Sequence, residues 1–173
     1  IPIYQKLDRE KSKFCTAEND TELLKIINTA NIACGYHAGD EQTMRKTIQV
    51  AKKNGVSVGA HPSFNDKENF GRERINLNNL EIKRLIIEQL EIISKIADEE
   101  KHPISHVKPH GALNNMACEN REISISIGKA ILEFNKELIY VCLPMTQMER
   151  AGIDLNMNIA CEIFADRNYE DNG

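Results

Sequence analysis

The chain has 173 residues, 41% of them hydrophobic and 28% charged, which suits one sizeable core and is read as a single soluble domain over 1–173. Its net charge of -4 and pI near 5.8, with both signs mixed along the chain, leave no basic stripe for nucleic acid. No apolar run approaches the roughly 20 residues that span a bilayer, and IPIYQKLDRE lacks a secretory pattern, so a cytoplasmic location without membrane contact is expected.

Apolar Leu23, Leu24, Ile26 and Ile27 predict a helix over about Thr21 to Thr29, followed by a short buried strand from Ala30 to Cys34. His37 to Asp40 form the next loop. Asp40 caps a helix in which Met44, Thr47, Ile48 and Ala51 recur at helical spacing before Asn54-Gly55 stops it. Strand VSVGA then runs into His61-Pro62. The polar loop from Ser63 to Asn76 is long for an α/β connection and reads as a lid or binding loop carrying Phe70-Gly71-Arg72.

A long amphipathic helix from about Leu80 to Asp98 puts Ile82, Leu85, Ile86, Gln89, Leu90, Ile93 and Ala97 on one side. Strand ISHVK stops at Pro109, a helix with Ile123, Ile127, Ala130 and Phe134 follows, and strand LIYVCL stops at Pro144. A short helix through Met145, Met148 and Ala151 ends at Gly152. The last strand, around Asn158 to Ile163, delivers Glu162, Asp166 and Arg167. Strands alternating with helices in this way argue for a parallel sheet with crossover helices. A complete eight-stranded barrel takes about 250 residues, so an α/β fold of incomplete β/α-barrel type, missing its C-terminal part, is expected.

Parallel sheets bind ligands at the C-terminal ends of their strands, where this chain carries His37, Asp40, His61, Lys108 and His110. The spacing of His37 and Asp40 allows a shared metal or a carboxylate orienting an imidazole, although Asp40 can equally do no more than cap its helix. His61 is a site histidine or a structural one. His106 and His110 have the spacing of a helical zinc pair, but Pro109 opposes a helix, and period two puts His106, Lys108 and His110 on one side of an extended segment. Lys108 in an apolar strand end calls for an anion, a substrate or a phosphate.

Glu162 suits a general base or a ligand, and Asp166-Arg167 an ion pair or an orienting pair at the pocket rim. His102, in a polar turn, is expected to be exposed. Cys15, Cys34, Cys118, Cys142 and Cys161 form no C-x-x-C pair, and most are read as reduced core residues. No P-loop, G-x-S-x-G, H-E-x-x-H or Rossmann glycine pattern occurs, so no motif supports an ATP site within the chain.

The segments NIACGYHAGD, GAHP, FGR, KPHGAL and EIFADRNY, in this order, resemble the LamB/YcsF family, which is associated with one component of the prokaryotic ATP-dependent 5-oxoprolinase. The similarity runs from about Phe14 to Gly173. It implies an irregular β/α barrel related to sugar deacetylases, continuing beyond this chain. It also implies cleavage of the lactam 5-oxoproline to L-glutamate, with ATP as co-substrate and with partner subunits B and C. Carried onto this sequence, it marks His37, Asp40, His61, Lys108, His110, Asn115, Glu162, Asp166 and Arg167 without dividing chemistry from substrate binding; catalytic roles are expected for His37, Asp40, His61, His110 and Glu162, and substrate binding for Lys108, Asn115, Asp166, Arg167 and Arg72.

Two other readings stand beside it. One is a metal-dependent, deacetylase-like hydrolase in which His37, Asp40, His61 and His110 hold a divalent ion that activates water. The other is a degenerate binding protein without turnover. The chain departs from the family pattern in having QKLDREKSKF where an Asp-Leu-Asn motif is expected, Asn114 for a tyrosine and Glu73 for an arginine.

Overall fold

Short β-branched and small-residue stretches, most of them closed by glycine or proline, set the strands, and the amphipathic runs between them set the helices. In the computed structural model, which describes residues 22–164, these become β1 (Thr29–Ala33), α1 (Glu41–Lys53), β2 (Ser57–His61), α2 (Asn79–Glu99), β3 (His106–Val107), α3 (Gly111–Glu119), α4 (Arg121–Phe134), β4 (Ile139–Cys142), α5 (Gln147–Asp154) and β5 (Ile159–Cys161). Cys15, Asp166, Arg167 and the segment QKLDREKSKF lie outside the described residues.

All five strands pair in parallel in the order β1-β2-β3-β4-β5, so each lies beside the strand before it in sequence. That is the winding of a β/α barrel rather than of a doubly wound sheet, which reverses its strand order partway across. Among the described residues β1 and β5 are the two edges.

The register decides which side chains meet. Ile32, Ala60, Val107, Tyr140 and Ile159 form one row across the sheet, and they pack with Ile86, Leu90 and Ile93 of α2, Ile127 and Ile131 of α4 and Met148 of α5 into the core. Because successive residues of a strand point to opposite faces, the preceding row, Asn31, Gly59, His106 and Ile139, lies on the other face. The following row, with Ala33 and His61, returns to that same face. The sheet thus has an apolar side under helices and a polar side above it.

Three expectations need correction. Among the described residues the helix expected over Thr21 to Thr29 is helical only at Glu22 and Leu23 before it turns, and Thr29 already pairs with Ser57; Leu23 and Ile26 are 53% and 80% exposed, while Leu24 lies in the core and Ile27 packs against it. One helix was expected between ISHVK and LIYVCL, and two are present, α3 and α4, with Asn120 ending the first and capping the second through Glu122 N and Ile123 N. His102 is half-buried, its Nε2 bonding the carbonyl of Val56 at 2.8 Å.

Candidate active site

The turns after β1, β2, β3 and β5 carry the chemistry. His37 stands in the loop after β1, His61 closes β2, Lys108 and His110 follow β3, and Glu162 follows β5, so one rim of the sheet gathers them. The polar loop after β2 returns over this rim and completes the cluster with Phe70 and Arg72.

Three imidazoles meet there. The rings of His37 and His110 stack at 4.1 Å with an 11° tilt, and His61 meets His110 edge-on at 4.8 Å. Phe70 closes the group, edge-on to His37 at 5.3 Å and to His110 at 5.2 Å, and Arg72 sits over the outer side of Phe70. His61 Nδ1 lies 2.6 Å from the carbonyl of Lys108, His110 Nε2 lies 2.9 Å from the carbonyl of Phe70, and His61 Nε2 faces His110 Nδ1 at 3.1 Å. Burial disfavours the charged form of each ring. It lowers His61 to about 3 and, helped by the nearby His110, His37 to about 4, and it also lowers His110. At neutral pH each ring taken singly is an uncharged imidazole, the state of a proton acceptor.

The loop that delivers Phe70 is held at many points. Gln89 of α2 is fully buried and grips its start, accepting from Ser63 N at 3.0 Å and donating to the Ser63 carbonyl at 2.8 Å. Phe70 takes a left-handed φ of 58°, which a side chain of its size rarely adopts and which aims its carbonyl at His110. Gly71 also has positive φ, and a Cβ there would lie 2.1 Å from Ser63 Oγ. Its carbonyl accepts from Ala112 N at 2.9 Å and ties the loop to the first turn of α3.

Below the histidines, the ring of His106 lies across Gly59 and reaches from β3 over β2 to Asn31 of β1, its Nε2 3.0 Å from Asn31 Oδ1. This pair makes the floor of the site. Beside the histidines, the Lys108 ammonium pairs with the Glu162 carboxylate and lies over the ring of Phe164 at 4.8 Å. Lys108 is therefore already matched with an anion, and Glu162 is bound to a cation rather than standing open as a base.

The structure thus gathers His37, His61, His110, Lys108, Glu162 and Arg72. It sets Asp40 and Asn115 apart: the exposed Asp40 carboxylate accepts from Thr43 N at 2.7 Å as the cap of α1, and Asn115 lies on the exposed side of α3. Asp166 and Arg167 fall outside the described residues. Asn31, Gly59, the Phe70 carbonyl and Gln89 also line or support this cluster and were not singled out by spacing, whereas His106 was placed beside Lys108 and His110 by the period of two. Gly59 gave a signal of its own, since glycine inside a strand marks close approach by another group.

The four proposed metal ligands do not fit one ion in this arrangement. A metal bound by two imidazoles lies about 2.0–2.1 Å from each nitrogen and in the plane of each ring, and the stacked planes of His37 and His110 share no such point. Asp40 is committed to its helix, and among the described residues no group of three His, Cys, Asp or Glu side chains is arranged to hold a metal.

Compared with known proteins, residues 8–173 match the LamB/YcsF family. A relative from Staphylococcus epidermidis, named as the A component of 5-oxoprolinase, is 44% identical over 158 residues, 91% of this chain and 63% of that protein. Another of the same name, from Azoarcus, is 42% identical over 152 residues, 88% of this chain and 59% of the other. Among solved structures, a lactam utilization protein from Thermus thermophilus superposes with a TM-score of 0.85 at 36% identity, covering 87% of this chain and 61% of that one. The chain spans less than two thirds of the length of these relatives.

Proposed function

This chain belongs to the LamB/YcsF family, and on that premise we propose that it serves as one component of an ATP-dependent 5-oxoprolinase, opening the lactam 5-oxoproline to L-glutamate with partner subunits B and C. The observation that carries this reading is the cluster of uncharged imidazoles, His37 buried and His61 and His110 half-buried, at the strand ends of a chain 44% identical to a protein named as a 5-oxoprolinase component. Opening an unstrained five-membered lactam at neutral pH is uphill, so coupling to ATP is chemically reasonable. With no phosphate-binding loop in the sequence, the nucleotide is assigned to the partners.

In this reading the histidines handle protons, while Lys108 and Arg72 supply positive charge for the substrate carboxylate. Glu162 positions Lys108 and yields it when the substrate anion arrives. Asn115, Asp166 and Arg167 join the site on the family pattern alone, as does Asp40 as more than a cap. Glutamate release from 5-oxoproline and ATP, with subunits B and C and with or without this chain, tests the proposal. Release that depends on the chain is expected. Its absence, with partners shown competent using a full-length relative, would leave binding without turnover as the reading to pursue.

A further inference from the structure

A carbonyl oxygen can only accept a hydrogen bond. The Lys108 carbonyl therefore requires the hydrogen of His61 on Nδ1, and the Phe70 carbonyl requires that of His110 on Nε2. Each neutral ring then keeps its lone pair on the other nitrogen. Those two nitrogens, His61 Nε2 and His110 Nδ1, face each other at 3.1 Å, a hydrogen-bond distance with no hydrogen to fill it.

We propose that His61 and His110 act as one base, a pair of converging lone pairs that takes a single proton and shares it between Nε2 and Nδ1. Uptake of that proton replaces a repulsion between lone pairs by a charge-assisted hydrogen bond, so the pair binds a proton more tightly than either ring alone in the same surroundings. The groups facing it are Lys108 and Arg72, which oppose protonation, Glu162, which offsets Lys108, and the stacked ring of His37. Phe70 and Lys108 position the base through their backbone carbonyls.

This inference rests on the lactam-opening reading for its role, and it names the proton acceptor of that reaction. Water attacks the carbonyl carbon and gives up a proton to the pair. The pair then passes a proton to the ring nitrogen as the C–N bond breaks, so hydroxyl ends on carbon, hydrogen on nitrogen, and the base is restored, the free energy for this uphill opening coming from the ATP assigned to the partner subunits. The Glu162 carboxylate, held by Lys108, is not needed for this step.

The test is an NMR titration of the chain carrying 15N-labelled histidine, in the wild type and in His110→Phe, which keeps an aromatic ring but removes the second lone pair. In the wild type at neutral pH, His61 should carry hydrogen on Nδ1 and His110 on Nε2, and both signals should move together on acidification as one proton enters. In His110→Phe the midpoint for His61 should fall by at least one pH unit, a tenfold loss of proton affinity. Independent rings predict the opposite sign, because a neighbouring positive charge has been removed. A midpoint that stays or rises in the variant, separate wild-type titrations, or a stoichiometric metal ion between the two nitrogens would overturn the proposal. None of these results depends on turnover, so the 5-oxoprolinase reading stands or falls separately on glutamate release.

Discussion

A methyl group at position 59 would lie 2.2 Å from the His106 ring, so Gly59→Ala must expel the imidazole from its bond to Asn31. Overpacking of this kind costs about 1–3 kcal/mol, and a lower urea midpoint at unchanged m-value would report it. Gln89→Leu keeps the volume but strands the Ser63 N–H and carbonyl in the interior. Each unsatisfied group costs about 1–3 kcal/mol, and because Gln89 anchors the loop that orients His110, glutamate release should fall as well. The histidines themselves were legible from their places at strand ends. The Asn31 to His106 contact was not, because it spans three strands, and only the register shows that Gly59 lies beneath the ring.

At the level of elements, caps set the boundaries. Asn78 forms a reciprocal capping box with Glu81 at the start of α2, and Asn120 caps α4 where α3 ends. Replacing either by Ala should cost about 1 kcal/mol, measured by chemical denaturation. The Asn120 change should also loosen α3, visible as faster amide exchange from Gly111 to Glu119, whereas the Asn78 change should leave α3 alone. The strands were readable because Pro62, Pro109 and Pro144 each follow a strand within two residues. The helix α3 was hidden by its composition, GALNNMACE, in which glycine and two asparagines are weak helix formers and the apolar repeat is short. Conversely, Leu23 to Ile27 had helical spacing, but only Leu24 and Ile27 meet the core while Leu23 and Ile26 stay exposed. Periodicity reports a face, not whether anything lies against it.

For the molecule as a whole, acid is the relevant stress. His37, His61, His106 and His110 are all shifted down by burial, so below the ordinary imidazole range the unfolded chain binds more protons than the folded one. The stabilisation is complete above about pH 6.5 and is lost as pH falls toward the folded value of about 4 for His37. Urea midpoints should therefore drop between pH 7 and pH 5, and the drop should shrink in His37→Gln. The loop over the rim is pinned at its start, Ser63, by Gln89, and at its end by the Phe70 carbonyl on His110 and the Gly71 carbonyl on Ala112 N. Between those pins the number of residues works like the length of a gauge block. One residue added between 65 and 69 would slide a different peptide group under His110 and change which ring nitrogen carries hydrogen, with every histidine intact, whereas added residues just beyond Arg72 should be absorbed.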